Sequence, residues 1–285
     1  MVSVAYCQSD PDYRREPGEN QSSLKHILVS PAHYQASKRR RFAATINMEI
    51  GSAVHCKTLE GDEEFENRYT VKPDGINLRT KEGLDWKASI GKKTALPNTG
   101  NERAWDSVVG MTDTLRKMDW FNPDQPDYRK YNEVSFYWEA DNIPCKARLD
   151  RVVVQKDEVL VLDLKTTDSI DFMTFNKKVV GGLNYLFQAA WYAEAASLAY
   201  DKPARFIFIG IERQEPWSAG IFEVSSEMLE EGKEQIRYAR KSLSDCLKTK
   251  QWPAPQINSY TLDLPKWYVS PLDATTDQQV FEALF

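Results

Sequence analysis

Hydrophobic and polar positions are most regular in the middle of the chain. Two neighbouring apolar runs there, Arg148–Val154 and Glu158–Lys165, are short, rich in Val and Leu, and parted by the polar break Gln155-Lys156-Asp157. Runs of that length around a polar turn predict two adjacent antiparallel strands. Upstream, Tyr131–Ala140 alternates as a strand, with Val134, Phe136 and Trp138 set against Glu133, Ser135, Tyr137 and Glu139. That alternation turns Glu133 and Glu139 toward solvent, in preference to the alternative that they join a second metal. Downstream, Arg205–Glu212 and Trp217–Val224 predict two more strands.

Helical spacing fills the intervals. Asn47–Leu59 fits a helix on which Gly51 and His55, four apart, share a face. The glycine lets that helix approach the sheet, and the imidazole points into the space it opens. A lone histidine so placed is ordinarily a core residue. Ala104–Trp120 predicts a helix burying Trp105, Val108, Val109, Met111, Leu115 and Met118. Leu183–Tyr200 is the most convincing long helical stretch, rich in Ala and Leu, with Gln188 and Tyr192 on one face, and Met228–Leu247 is amphipathic. Ile170–Val180 predicts a short helix or lid carrying Lys177 and Lys178. Residues 1–20 suggest a flexible arm, 21–270 a single domain with a loop-rich insertion at Arg79–Gly100, and 271–285 a tail.

Composition narrows the class. The chain has 285 residues, 41% of them hydrophobic, enough for one large core. No apolar run approaches a membrane span and no secretory signal is evident, so a cytoplasmic protein is expected. Cys7, Cys56, Cys145 and Cys246 lie far apart without a CxxC pair, which argues against zinc or iron–sulfur sites. A net charge of −5 is unsuited to coating DNA non-specifically, yet suits an enzyme whose cations are gathered in one channel. The run Lys38-Arg39-Arg40-Arg41 reads equally as a solvated helix end or a phosphate contact.

The two central runs each carry an acid where a buried strand should have none, Asp150 and Asp163. Asp163 and Lys165 project from one face of their strand, with Leu164 turned away. Two carboxylates and an ammonium on an apolar sheet are costly unless something binds them. A divalent metal ion with hard oxygen ligands, Mg²⁺ or Mn²⁺, does so and leaves room for a phosphate. The pattern D…DxK resembles the PD-(D/E)xK nuclease signature, with Leu149-Asp150 in the place of its "PD".

His55, Asp150, Asp163-x-Lys165 and Gln188-x-x-x-Tyr192 occur in the order found in nucleases that include the RecB nuclease domain and the exonuclease VIII (RecE) family. The chain resembles exonuclease VIII over most of Ser22–Tyr268, through SSLKHILVSPAHY, GSAVHCKTLE, EVSFYWE, LVLDLKTTDSIDF, FQAAWYAEA, and LSDCLKTKQWPA with LPKW. The resemblance implies an α/β (α+β), restriction-endonuclease-like fold, a mixed central sheet flanked by helices. It implies a Mg²⁺-dependent exodeoxyribonuclease (Mn²⁺ substituting) that degrades one strand of linear duplex DNA from 5′ to 3′, leaving a 3′ overhang for strand annealing. His55, Asp150, Asp163 and the Leu164 carbonyl would be metal ligands. Lys165 would orient the attacking water, and Gln188 and Tyr192 would hold the DNA. Arg39, Arg40, Arg41, Lys177 and Lys178 would line the path of the duplex. The resemblance also implies a ring, most simply a tetramer, a single-strand annealing partner, and a phage or prophage gene in a bacterial host. Two rivals share these features: an endonuclease on the same core, and a non-catalytic DNA-binding protein on a degenerate one.

Overall fold

Six strands form one mixed sheet in the order β1-β2-β3-β4-β5-β6. They are β1 (Ser3–Ala5), β2 (Arg129–Ala140), β3 (Ile143–Val154), β4 (Val159–Thr167), β5 (Ala204–Glu212) and β6 (Ala219–Glu223). The structure is a computed structural model and describes residues 2–6, 8–39, 44–99, 102–121, 129–182, 184–255, 261, 263 and 264. All the elements named belong to the unit Met1–Ala254, and the expected tail 271–285 lies outside the described residues. Every neighbouring pair is antiparallel except β4 and β5, which run parallel. A parallel pair needs a crossover, and α5 (Tyr185–Tyr200) supplies it.

Strand periodicity divides the core into two halves. On β4, Val159 and Val161 belong to one cluster with the buried face of α5 and of α6 (Ser226–Thr249), whereas Leu160, Leu162 and Leu164 belong to the other. That second cluster holds Ile50, Ala53 and Val54 of α3 (Ile46–His55) and Val108, Met111 and Leu115 of α4 (Ala104–Arg116). A sheet covered on both faces reads as continuous apolar runs, which is why β4 shows so little alternation. By position, Asp163 follows Val159 and Val161 and therefore enters the half of the core that α5 covers.

α5 is rich in alanine, and Ala189, Ala190, Ala195 and Ala196 are fully buried. Small side chains let it lie close to the sheet and to α6. Trp191 fills the space they leave, and its Nε1 donates to the Lys146 carbonyl at 3.1 Å. Arg240 of α6 lies 4.7 Å over that ring and donates to Glu194, which also accepts from Trp138 Nε1. The charges are taken from water together, so their desolvation is offset by mutual hydrogen bonds.

Within residues 1–20, expected as a flexible arm, the described residues include a strand and a helix. Ser3–Ala5 pairs with Ser135–Tyr137 on the edge of β2, and α1 (Asp10–Arg15) follows, with Ser9 as its N-cap. The buried Lys146 ammonium donates to the carbonyls of Tyr13, Arg14 and Glu16, closing the orphan end of that helix. Downstream, α2 (Pro31–Arg39) ends at Arg39, which is exposed, while Arg40 and Arg41 lie outside the described residues.

Gly232 of α6 is a point of close approach: a Cβ there would meet the Leu186 carbonyl oxygen at 2.6 Å and Ala190 Cβ at 2.7 Å. Gly232→Ala gains helix propensity but must push α6 off α5, so we expect a net loss of ~1–3 kcal/mol in urea unfolding. A midpoint at or above wild type would show that the two helices have room to spare.

Candidate active site at the fork of the sheet

The ladder between β3 and β4 runs from Val154↔Val159 to Arg151↔Leu162 and stops there. Beyond that pair β3 and β4 no longer pair with each other: β3 stays on β2, with a bridge to Glu19 at Cys145, and β4 stays on β5, so the sheet forks at Asp150 and Asp163. A fork strands backbone groups that a ladder would have paired, and each must find a partner. The Leu164 N–H donates to Asp150 Oδ2 at 2.8 Å. The Leu164 carbonyl lies 2.9 Å from His55 Nε2, and His55 Nδ1 is 3.5 Å from Asp150 Oδ2. His55 reaches this point because Gly51, one turn earlier on α3, lies where a Cβ would stand 3.3 Å from Thr166 Oγ1.

From the other side of the sheet α5 supplies Gln188, whose Nε2 donates to Asp163 Oδ1 at 2.8 Å. The other oxygen of Asp163 is in ion-pair contact with Lys165. Asp163 is almost wholly buried, and Lys165 Nζ lies 5.0 Å from the Tyr185 ring centre. Burial alone would lower the ammonium, but the charges of Asp163 and Asp150 outweigh it and hold Lys165 above the ordinary lysine value. Tyr192, one turn on from Gln188, lines the cleft, and burial followed by the Asp163 charge raises its phenol well above the usual range.

The structure thus brings together His55, Asp150, Asp163, Leu164, Lys165, Gln188 and Tyr192. Gln188 is buried and its amide donates to Asp163, so in this structure it positions a carboxylate. Lys178 lines a side lobe next to the cleft, Lys177 is exposed beside it, and Arg39 is not among the residues lining either space.

Glu133 is a correction. Alternation turned it to solvent, yet it is largely buried, bonded to Arg148 Nε at 2.7 Å, and grouped with His55 and Asp150. One ligand atom from each of these three lies within 4.8 Å of the others. The ladder between β2 and β3 skips the pair Glu133 and Asp150 while keeping its register on either side. Glu133 sits in the left-handed region, at φ 50. The core side chains change phase at the same place, from Leu149 to Val152 on β3 and from Tyr131 to Val134 on β2. A strand that slips phase redirects the side chain at the slip. The sequence signal for this was slight: a glutamate opposite an aspartate in adjacent strands.

The donor set suits a hard divalent cation. It combines an imidazole, carboxylates and a peptide carbonyl. Two adjacent ligands of an octahedral ion with bonds of ~2.1 Å stand about 3 Å apart, close to the spacing of His55 Nε2 and the Leu164 carbonyl. Glu133 and Asp163 each have a cationic partner, while Asp150 has only the imidazole and one peptide N–H. Its carboxyl is pushed up to about 7, first by burial, against the pull of His55 and with the repulsion of Asp163 and Glu133. Among the described residues no Lys or Arg pairs directly with Asp150, and a cation at the site would fill that place.

These features open onto a cleft of about 900 Å³, lined on one side by Tyr13 and Arg14 and on the other by Ser52 and Arg68. A forked mixed sheet holding D…DxK, with a helical histidine and QxxxY beside it, defines a PD-(D/E)xK nuclease core. Residues 20–260 match the family described as "PDDEXK-like domain of unknown function (DUF3799)", and the chain belongs to that family. No curated protein matches the sequence. The fold is shared with the crystal structure of a "Putative exonuclease" from Eubacterium rectale, at TM-score 0.57 and 14% identity, over 96% of this chain and 100% of that one. SSO0001 aligns at TM-score 0.29 and 13% identity over 74% of this chain and 89% of its own. Protein VC1899 from Vibrio cholerae aligns at TM-score 0.29 and 9% identity over 87% and 58%. No helix among the described residues is long and apolar enough to cross a membrane.

The raised Asp150 value has a consequence for stability. Between about pH 4, where an unfolded aspartate ionises, and about 7, the folded state holds a proton that the unfolded chain has released. Stability of the metal-free protein therefore falls across that window as pH rises. Asp150→Asn removes the penalty, so its melting temperature should exceed wild type at pH 8 and converge with it at pH 4. Mn²⁺ or Mg²⁺ should raise the wild-type melting temperature at pH 8 and leave the variant unmoved. A variant that melts below wild type at pH 8, or responds equally to metal, contradicts this assignment.

Proposed function

We propose that the protein is a Mg²⁺-dependent exodeoxyribonuclease that degrades one strand of linear duplex DNA from 5′ to 3′, leaving a 3′ overhang for recombination by strand annealing. The observation that carries the hydrolytic part is the fork itself. Asp150, Asp163 and Lys165 meet there from two diverging strands, with His55 closing the group from α3. A binding module has no reason to keep so costly a cluster, which speaks against a non-catalytic protein. The exonucleolytic polarity and the overhang rest on the resemblance to exonuclease VIII. The same resemblance carries a tetrameric ring and an annealing partner as parts of the proposal.

His55, Asp150, Asp163 and the Leu164 carbonyl would hold the cation, with Glu133 completing the group once it turns from Arg148. When bound, Mg²⁺ supplies Lewis-acid polarisation of the scissile phosphate and lowers the pKa of water at the site. Lys165 stays protonated, held by Asp163, and can orient that water while offsetting charge that grows on the phosphoryl oxygens. Gln188 fixes the rotamer of Asp163 from behind. Arg148, freed from Glu133, is within the same cleft and can take up a neighbouring phosphate.

Linear duplex labelled at its 5′ or 3′ end, incubated with and without Mg²⁺, tests the reading. The 5′ label should be released first, only with the cation, and a covalently closed plasmid should persist. Asp163→Ala and Lys165→Ala should each cut the rate by ~10²–10⁴-fold or more. Cleavage of the closed plasmid would make the protein an endonuclease, and near-wild-type rates in Asp163→Ala would remove the active-site assignment.

A further inference from the structure

The active-site cleft has a side lobe that begins at Lys165 and whose other cations the chemistry above does not use. It is a space of about 380 Å³ lined by Lys165, Thr167, Asp168, Lys178 and Arg213 among others. Lys165, Thr166, Tyr185 and Arg213 also line the main cleft, so the two spaces are continuous. Two cations are aimed into the lobe and built in place. Lys178 Nζ donates to Thr167 Oγ1 at 3.1 Å. The Arg213 side chain is only 16% exposed, and its backbone N–H donates to the Thr167 carbonyl. Both converge on a single anion, the Asp168 carboxylate, which is itself 75% exposed. An exposed carboxylate between two fixed cations stands where a phosphate oxygen would stand.

Beside the lobe is a surface of the opposite character. The short helix Phe172–Lys177 is anchored by Phe175, which is buried and stacks on Phe222 with ring centres 4.0 Å apart. With that ring as the pin, Phe172 is left 63% exposed and Met173 71% exposed, next to the exposed Lys177. A large apolar side chain held out on a pinned helix next to a cationic pocket has no role in the core.

We propose that lobe and helix form one subsite for an unpaired nucleotide of the strand leading to or from the scissile phosphate. The adjacent phosphate would lie between Lys178 and Arg213 in place of Asp168, and the base would pack on Phe172 and Met173. Only a nucleic acid strand offers charge on one side and flat apolar faces on the other at successive residues, and the lobe opens off the cleft where such a strand would lie. The subsite is selective for single strands, because a base must leave its stack to reach Phe172. Asp168 holds the two cations in readiness and competes with weakly bound anions. This inference rests on the nuclease reading and extends it.

Anisotropy titrations of a labelled single-stranded oligonucleotide, with Ca²⁺ in place of Mg²⁺, test it at several salt concentrations. Phe172→Ala combined with Met173→Ala should weaken binding roughly tenfold without lowering the melting temperature, since both side chains are exposed. Lys178→Gln combined with Arg213→Gln should flatten the dependence of log affinity on log salt, by ~0.7 for one lost phosphate contact. Asp168→Asn should tighten binding, while the control Asp157→Asn, in the β3–β4 turn, should not. If any of the three lobe variants binds as wild type does, the subsite is overturned and the nuclease reading stands. If the wild-type protein binds no single-stranded oligonucleotide yet still degrades end-labelled linear duplex, the subsite is overturned and the nuclease reading stands; if it does neither, both fall.

Discussion

Everything at the site follows from one unfinished ladder. Where β3 and β4 part, the two backbone groups of Leu164 lose the partners a continuous sheet would give them, and leaving them bare in the interior is costly. Asp150 takes the N–H and His55 meets the carbonyl, so the residues best suited to hold a cation are also those that make the fork tolerable. Structure and chemistry therefore use the same atoms. A substitution at Asp150 acts on the backbone of β4 as well as on the ligand set, and loss of activity there says little unless folding is followed beside it.

Charge is distributed around the fork in a graded way. Asp163 lies deepest and is fully provided for, by Lys165 on one oxygen and Gln188 on the other. Glu133 is paired with Arg148 across the cleft floor. Asp150 has the imidazole and one peptide N–H as direct partners among the described residues, and burial first of all pushes its carboxyl up to about 7. In the low dielectric of a partly buried site such imbalance is worth much more than at the surface. The resting protein is thus poised: its stable pairs keep the framework in shape, and its one unbalanced group marks the place for a cation.

Much of this was legible in the sequence, and what was not fails for identifiable reasons. Asp150, Asp163 and Lys165 stood out because acids interrupt runs of Val and Leu, whereas His55, facing the sheet beside a glycine one turn earlier, reads as a core residue until the order of the motifs makes it a ligand. The mixed sheet came with the family resemblance and its central strands with their patterning, whereas the parallel crossover through α5 had no sequence signal of its own. Glu133 escaped because strict alternation was assumed through a position where β2 and β3 slip phase together. A slip shared by two strands leaves the register intact and so leaves no mark on spacing. The elements within residues 1–20 escaped because what fastens them is a lysine in β3, more than a hundred residues away. Gln188 was found by its motif but its bond to Asp163 was not, since a helix face shows which residues align and not which acid lies beneath them.

The three residues of β1 deserve a different kind of reading. Ser3–Ala5 occupies the outer side of β2 at Ser135–Tyr137, midway along a twelve-residue strand whose other side is committed to β3. An uncovered strand of that length is a template on which a second molecule can add its own, and proteins shield such borders with short or charged segments. A three-residue cover is enough to break the run of free donors and acceptors, and too short to recruit a further strand. Ser3–Ala5 thus shields the middle of that border from open-ended strand addition. Fusions or trimmed forms that displace Ser3–Ala5 would leave that stretch of β2 open to pairing with a strand of another molecule.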